Sequence, residues 1–184
     1  ADQLVGAEVL LEFPSVGATE NLVMAAVLAR GTTVIENAAR EPEISDLANF
    51  LSQMGATIDG VGTSRLTVEG VEALRPTTYT VIPDRIEAAT FLSAVAVCGG
   101  ELVLKGARPD HMEMLIRKLE EMGMGLTAEP SGLRAEVTDR LRAVDVSTLP
   151  YPGLATDYKP FLVTALCVAE GAGMVTENIF AGRF

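Results

Sequence analysis

Residues 41–55 read EPEISDLANFLSQMG, and residues 109–123 read PDHMEMLIRKLEEMG. In both stretches a proline stands near the start, a glycine stands at the end, and apolar side chains recur at the spacing of one helix face. These apolar positions are Ile44, Leu47, Ala48, Leu51 and Met54, and then Met112, Leu115, Ile116, Leu119 and Met122. Each position of the second stretch lies 68 residues after its counterpart, so the sequence predicts two equivalent amphipathic helices.

The repeat continues on both sides of these helices. Upstream, an apolar helix that includes residues 23–27 has its counterpart at 91–95, and a glycine, Gly31 or Gly99, follows each of them. A strand is expected after each glycine. Downstream, two short strands are predicted in each copy, namely 57–59 with 66–69 and 125–127 with 133–137. A third copy of the pattern begins near Phe161.

The alternation of helices and strands predicts an α/β fold of the α+β type, built from small repeated helix–strand–helix–strand units. The third copy ends after a strand predicted over residues 174–177, which would leave an apolar sheet face uncovered. Repeated units bury such faces against complete neighbours. We therefore expect this chain to be a truncated piece of a longer protein.

The composition excludes several kinds of partner. The chain has 184 residues, of which 48% are hydrophobic, and a formal net charge of −11 at pH 7. We expect neither nucleic acid nor a membrane as a partner, because both need a basic face and no apolar run approaches the roughly 20 residues that span a bilayer. Cys98 and Cys167 stand in apolar helical stretches, which predicts packed, reduced thiols and a cytoplasmic location. His111, the only histidine, has no companion for a metal site or a catalytic triad.

A loop of small residues, Pro14 to Thr19, precedes the first apolar helix. Backbone N–H groups at a helix start bind phosphate without basic side chains, and Gly17 permits close approach of a ligand. An acidic chain needs such local binding if its ligand is an anion. Simple capping of the helix by Ser15 or Thr19 is the alternative interpretation.

Two further helix starts contain carboxylates. Asp84 and Glu87 have the spacing of a capping box, which favours simple capping. Asp157 precedes Lys159, and this lysine together with the helix dipole would favour an ionised carboxylate that accepts a proton from a substrate hydroxyl. N-capping is the alternative role for Asp157. The polar stretch from Glu36 to Pro42 joins a predicted strand to a predicted helix, which indicates either a ligand-binding loop or an ordinary turn.

Three strings occur in a characteristic order and spacing, namely FPSVGATEN at 13–21, ENAAREPEI at 36–44 and PDRIE at 83–87. Together with TENIF at 176–180 and the final Arg183-Phe184, they resemble the bacterial UDP-N-acetylglucosamine 1-carboxyvinyltransferases, a family of enolpyruvyl transferases. The resemblance implies two lobes of three small α/β units each, with substrates bound between the lobes. It assigns residues 1–82 to the last unit of one lobe, and residues 83–184 to the first unit and part of the second unit of the other.

The activity implied by this resemblance is transfer of the enolpyruvyl group of phosphoenolpyruvate to the 3′-hydroxyl of UDP-N-acetylglucosamine. Phosphate leaves through a tetrahedral intermediate, and no metal or organic cofactor is required. The reaction is the first committed step of peptidoglycan synthesis, which would link the protein to the cell wall, cell shape and cell division. We expect the 184-residue chain to be inactive by itself, because the remainder of the longer protein would complete the site.

Individual residues match functional positions of this family. The loop that holds the UDP diphosphate is matched by Ser15, Val16 and Gly17. Asp157 matches the proposed general base, which binds the sugar 3′-hydroxyl and removes its proton. Ile179 matches a position whose backbone contacts the UDP-sugar. Arg183 matches a position near the phosphate or carboxylate of phosphoenolpyruvate, and a guanidinium suits such oxyanions.

Other positions match less directly or depart from the family. Asp84 and Glu41 match residues that line the cleft, which implies supporting roles only. Lys159 stands where the family usually has a glutamine. Cys98 and Cys167 do not match the reactive cysteine of the family, which lies on a mobile loop in a region outside this chain.

Two alternatives stay open at the level of sequence. The related 3-phosphoshikimate 1-carboxyvinyltransferases share the fold and the enolpyruvyl donor, although the Ser15 to Thr19 string speaks against them. A binding or scaffold module without turnover is the other alternative, and it belongs to a different functional class.

Overall fold

The structure is a computed structural model that describes residues 3–183, so Phe184, which ends the last matched motif, lies outside the described residues. The chain divides between Ile82 and Pro83 into two units. Each unit has a hydrophobic core built from its own residues.

The first unit combines two helices with a four-stranded sheet. Its elements are β1 (Glu8–Leu10), α1 (Val16–Ala26), β2 (Thr32–Glu36), α2 (Pro42–Gln53), β3 (Thr57–Asp59) and β4 (Arg65–Glu69). The strand order is β1-β2-β4-β3, with β1 parallel to β2 and the other neighbours antiparallel. The apolar faces of both helices and the inner face of the sheet form the core, which includes Val23, Val27, Ile35, Ile44, Leu51, Leu66 and Val68.

The second unit contains a three-stranded antiparallel sheet, a two-stranded parallel sheet and three helices. Its elements are α3 (Arg85–Cys98), β5 (Gly100–Lys105), α4 (Glu113–Met122), β6 (Gly125–Glu129), β7 (Gly132–Val137), β8 (Val146–Ser147), α5 (Lys159–Val168) and β9 (Val175–Thr176). The sheet orders are β5-β7-β6 and β8-β9. Short 3-10 turns over Pro109–His111 and Thr156–Tyr158 precede α4 and α5. The core includes Leu92, Leu115, Leu119, Leu133, Tyr158 and Leu162.

The structure confirms the repeat and the predicted α/β class. Val34 pairs with Thr67 in the first unit, and Leu102 pairs with Ala135 in the second. Each residue of the second pair lies 68 positions after its counterpart in the first pair. The predicted apolar residues of α2 and α4 are buried or pack against the core of their unit. The glycines that end α2 and α4 are also equivalent, because Gly55 has a φ of +104° and Gly123 a φ of +105°.

Two short strands were absent from the sequence-based expectation. β1 lies parallel to β2, and β8 lies parallel to β9, so each of these pairs is connected by a helix. Both strands are too short to show a period in the sequence, and they are defined by pairing with a distant strand. The last strand is also shorter than the predicted range of 174–177, since β9 comprises only Val175–Thr176.

The structure corrects the expected burial of the cysteines, because Cys98 and Cys167 are both exposed. Cys98 is the last residue of α3, and Cys167 lies next to the last residue of α5. At these helix ends the apolar faces that contact the core are supplied by other residues, such as Val95 and Ala165. Within residues 3–183, no helix has the length and apolar character needed to cross a bilayer.

Candidate functional site

The loop before α1 forms both a helix cap and an open helix start. Ser15 occupies the N-cap position, and its Oγ accepts a hydrogen bond from the backbone N–H of Ala18 at 3.3 Å. The capping interpretation of Ser15 is therefore correct. The N–H groups of Val16 and Gly17 belong to the first turn, which lacks intrahelical acceptors. A β-carbon at Gly17 would meet nothing within 4 Å, so the backbone can be approached closely from that side.

Thr19 connects this loop with the loop between β2 and α2. Its buried hydroxyl donates to the Ser15 carbonyl oxygen at 2.8 Å and accepts from the Ala39 N–H at 3.0 Å. Asn37, which has a φ of +56°, donates from its side-chain amide to the Leu11 carbonyl oxygen at 2.9 Å. These bonds hold the two predicted loops of the first unit side by side.

Glu41 lies at the N-cap position of α2 but makes no side-chain cap hydrogen bond there. Its Oε2 instead accepts from the backbone N–H of Arg40 at 3.0 Å. The carboxylate thus belongs to the loop that packs beside the start of α1.

Asp84 occupies the N-cap position of α3 in the second unit. Its Oδ1 accepts from the N–H groups of Ile86 at 2.7 Å and Glu87 at 3.2 Å. The capping interpretation of Asp84 is therefore correct as well.

The structure brings Asp157 and Arg183 into direct contact. Asp157 Oδ1 accepts from the Arg183 guanidinium at 3.0 Å, and the same guanidinium nitrogen lies 3.2 Å from the Thr156 hydroxyl. Both side chains remain accessible, with 51% of the Asp157 side chain and 47% of the Arg183 side chain exposed. Tyr158 holds the N-cap position of α5, which has no side-chain cap hydrogen bond, so N-capping of α5 is not the role of Asp157.

Lys159 has a different surrounding from the one expected. Its ammonium lies 3.0 Å from Glu177 Oε2, and both side chains are buried, with exposed fractions of 5% and 2%. The ammonium also donates to the carbonyl oxygen of Arg183 at 2.6 Å. Arg183 is therefore the cation in contact with the Asp157 carboxylate, whereas Lys159 neutralises Glu177.

Glu177 lies at the centre of this network, although the sequence analysis assigned it no role. Its Oε1 accepts from the Thr148 hydroxyl at 2.8 Å and from the N–H groups of Ile179 at 2.8 Å and Phe180 at 3.1 Å. Its Oε2 accepts from the Thr156 hydroxyl at 2.8 Å. Burial raises the pKa of this carboxyl, but hydrogen bonds from Lys159, the two N–H groups and Thr156 outweigh that effect and hold the pKa far below its usual range.

The network also affects Ile179. Because its N–H is bonded to Glu177, a backbone contact from Ile179 to a ligand would go through its carbonyl oxygen. Next to Asp157 in the sequence, Tyr158 accepts a hydrogen bond at its hydroxyl from the buried guanidinium of Arg85 at 3.0 Å. The same guanidinium lies over the rings of Tyr151 and Tyr158, at 5.8 and 5.5 Å from their centroids.

These residues can bind anions and accept a proton. Arg183 presents a partly exposed guanidinium, and Asp157 presents a carboxylate next to it. In the part of the chain that the structure describes, no group of three or more His, Cys, Asp or Glu residues is placed to hold a metal ion.

Comparison with known proteins identifies related sequences along the whole chain. The sequence profile of the family described as EPSP synthase (3-phosphoshikimate 1-carboxyvinyltransferase) matches residues 1–184. A UDP-N-acetylglucosamine 1-carboxyvinyltransferase 1 of Caldanaerobacter subterraneus subsp. tengcongensis is 50% identical over 184 residues, which are 100% of this chain and 44% of that protein. A UDP-N-acetylglucosamine 1-carboxyvinyltransferase of Nocardia farcinica is 52% identical over 184 residues, which are 100% of this chain and 43% of that protein.

A solved structure has the same fold. The enolpyruvyl transferase NikO from Streptomyces tendae superimposes with a TM-score of 0.88 at 24% sequence identity, over 100% of this chain and 47% of that chain. The present chain thus spans less than half the length of the relatives that it matches.

Proposed function

This chain belongs to the EPSP synthase family, and on that basis we propose that it is part of a UDP-N-acetylglucosamine 1-carboxyvinyltransferase. The complete protein would transfer the enolpyruvyl group of phosphoenolpyruvate to the 3′-hydroxyl of the nucleotide sugar and release phosphate. The single observation that supports this proposal is the contact between Asp157 and Arg183, in which an accessible carboxylate lies beside an accessible guanidinium. The names of relatives at 50% and 52% identity indicate the acceptor sugar.

In this proposal the first unit binds the nucleotide. The N–H groups of Val16 and Gly17, with Ser15, hold the UDP diphosphate at the start of α1, where the helix dipole favours negative charge. Glu41, on the neighbouring loop, has a supporting role.

The second unit supplies the groups that act on the reacting atoms. Asp157 accepts the proton of the sugar 3′-hydroxyl as its oxygen adds to the enolpyruvyl group, and Arg183 binds the phosphate or carboxylate of phosphoenolpyruvate. The carbonyl oxygen of Ile179 contacts the UDP-sugar. Asp84 supports the site by fixing the start of α3.

The cellular setting follows from the same reaction. We propose that the complete protein acts in the cytoplasm at the first committed step of peptidoglycan synthesis, with no metal or organic cofactor. Its role in the cell wall would extend to cell shape and division. The rest of the longer protein completes the site.

The alternative acceptor is shikimate 3-phosphate, which the description of the family names. A thermal-shift titration of the complete protein separates the two enzymes. We expect UDP-N-acetylglucosamine to raise the melting temperature and shikimate 3-phosphate to leave it unchanged. The opposite result would favour the 3-phosphoshikimate enzyme, and ligand binding without phosphate release would favour a binding module.

Replacement of the proposed base tests the mechanism. In the complete protein, we expect Asp157→Ala to lower kcat by about 10²- to 10⁴-fold, because a positioned general base contributes that much. The Kd of UDP-N-acetylglucosamine should change by less than about threefold, since the proton is removed only in the transition state. Asp59→Ala, at the exposed end of β3, is the matched control and should leave both constants unchanged. Equal losses in kcat and affinity would contradict the general-base role.

A further inference from the structure

We propose that Glu177, together with Lys159, is a positioning residue that holds Arg183 and Asp157 in the relative positions that the reaction needs. This inference rests on the proposed function, because it assigns those two residues to the reaction. Glu177 itself would touch no substrate, since only 2% of its side chain is exposed.

Glu177 reaches Arg183 by two routes. Through the ion pair it orients the Lys159 ammonium, which donates to the backbone carbonyl oxygen of Arg183 at 2.6 Å. The second route is the Thr156 hydroxyl, which donates to Glu177 at 2.8 Å. The oxygen of the same hydroxyl accepts a hydrogen bond from the Arg183 guanidinium at 3.2 Å. Both the backbone and the side chain of Arg183 are thus connected to one buried carboxylate.

Glu177 also reaches Asp157 through the adjacent residue. Thr156 and Asp157 lie in the same short 3-10 turn, so the bond from Thr156 to Glu177 restrains the backbone that carries Asp157. Lys159 restrains the other end of this turn, where α5 begins. Buried groups thus add to the direct contact between Asp157 and Arg183 in holding these two residues next to each other.

Glu177 restrains the segment that carries Arg183 together with Asn178, which bonds to Ser147 and Thr148, and with the backbone bond from the Arg183 N–H to the Phe180 carbonyl oxygen. Residues 177–183 form neither helix nor strand, so no backbone ladder fixes their conformation. Glu177 accepts from the N–H groups of Ile179 and Phe180, which bends the segment back over its own carboxylate. Any other conformation of the segment would leave some of these buried donors, or the carboxylate itself, without a hydrogen-bond partner. Leaving buried polar groups unpaired costs free energy.

The test uses the complete protein that contains this chain. We expect Glu177→Gln to lower kcat by about 10- to 100-fold, because displacement of a reacting group by about 1 Å costs that much. The Kd of UDP-N-acetylglucosamine should change by a smaller factor than kcat, since Glu177 also accepts from the N–H of Ile179, whose carbonyl oxygen contacts the sugar in the proposed site, whereas a misplaced base affects only the transition state. Lys159→Gln should lower kcat in the same direction. Glu121→Gln, which breaks the exposed pair with Lys118, is the matched control and should retain full activity.

A coupling measurement distinguishes positioning from general weakening of the fold. If Glu177 acts through Arg183, Arg183→Ala should lower kcat less in the Glu177→Gln background than in the wild-type background. The two fold-losses in kcat should differ by a factor of about five or more. A merely structural role would make the two losses multiply. Unchanged kcat in Glu177→Gln, or losses that multiply, would overturn the proposal.

Two results separate this inference from the proposed function. If the wild-type protein turned over shikimate 3-phosphate instead, the proposed acceptor would be wrong, and the coupling between Glu177 and Arg183 would be measured on that reaction. If Glu177→Gln failed to fold, Lys159→Gln would replace it, and both its kcat and its coupling with Arg183→Ala would be measured. Loss of folding in both variants would show a structural role and overturn the proposal.

Discussion

Gly17 is the second helical residue of α1, and the space next to its α-carbon is open. In the complete protein, we expect Gly17→Ala to increase the free energy of unfolding by about 0.5–1 kcal/mol, because alanine loses less backbone entropy than glycine in a helix. The same substitution should weaken binding of UDP-N-acetylglucosamine by about tenfold, since a methyl group would keep the diphosphate away from the N–H groups. Chemical denaturation and isothermal titration calorimetry measure the two effects.

The opposite signs of these effects make the test specific. A gain in stability with unchanged affinity would show that the start of α1 does not touch the nucleotide. A loss of stability would show instead that Gly17 is required by the fold.

Glu177 makes the stability of the protein depend on pH. Its carboxyl has a lowered pKa in the folded state, so it contributes stability above the pKa of an unfolded glutamate, about 4.3, and this contribution declines as the pH falls below that value. We expect Glu177→Gln to lower the free energy of unfolding by about 3–5 kcal/mol at pH 7, because Lys159 then loses its buried counter-charge. The difference from wild type should stay constant down to about pH 5.5 and shrink between about pH 4.5 and 3. Urea denaturation across this range measures it, and a difference independent of pH would contradict the assignment.

The equivalent ends of α2 and α4 provide a test at the level of elements. Gly55 and Gly123 have φ values of +104° and +105°, and a β-carbon at either would meet nothing within 4 Å. Any cost of Gly55→Ala or Gly123→Ala therefore comes from the left-handed backbone, and we expect a loss of about 1–2 kcal/mol for each.

Denaturation curves of the two variants check this expectation. Gly17→Ala is the matched control, because the same side-chain change in a helical conformation should have the opposite sign. Unequal losses at Gly55 and Gly123 would show that the two helix ends are not equivalent in energy, despite their similar geometry.

The elements themselves were predicted to different extents. The helices α2 and α4 follow from the spacing of their apolar residues and from their end signals, because a helix is stabilised by contacts within a short stretch of sequence. The strands β1 and β8 could not be predicted, since each exists by pairing with a strand more than 20 residues away.

At the scale of the whole molecule, the length of the chain limits what it can do. The chain spans 44% of the Caldanaerobacter relative and 43% of the Nocardia relative. We expect the purified 184-residue chain to release no phosphate from phosphoenolpyruvate in the presence of UDP-N-acetylglucosamine, because catalysis requires all reacting groups in one geometry. A phosphate-release assay with the complete protein as the positive control measures this. Turnover by the short chain at more than about 1% of that rate would contradict the expectation.

The candidate site was predicted in part. Ser15, Val16, Gly17, Asp157 and Arg183 were selected because their motifs resemble those of a known family, and the contact between Asp157 and Arg183 is consistent with that selection. Their roles stay predictions. Lys159 was expected to act on Asp157 because the two are close in sequence, whereas its buried partner, Glu177, lies 18 positions further along the chain.

The repeat, the class of fold, the approximate positions of the helices and the loops that carry polar groups follow from the sequence alone. These properties depend on periodicity and on end signals, which act over a few residues. The start of α4 does not follow from the sequence, because a separate 3-10 turn occupies Pro109–His111 and the helix begins only at Glu113. Which cation contacts which carboxylate depends instead on the three-dimensional fold. Lys159 and Arg183 both had acidic residues within reach, and the pairing depends on the folding of residues 177–183 against the start of α5. Electrostatic partners are chosen by distance in space, which no local pattern encodes.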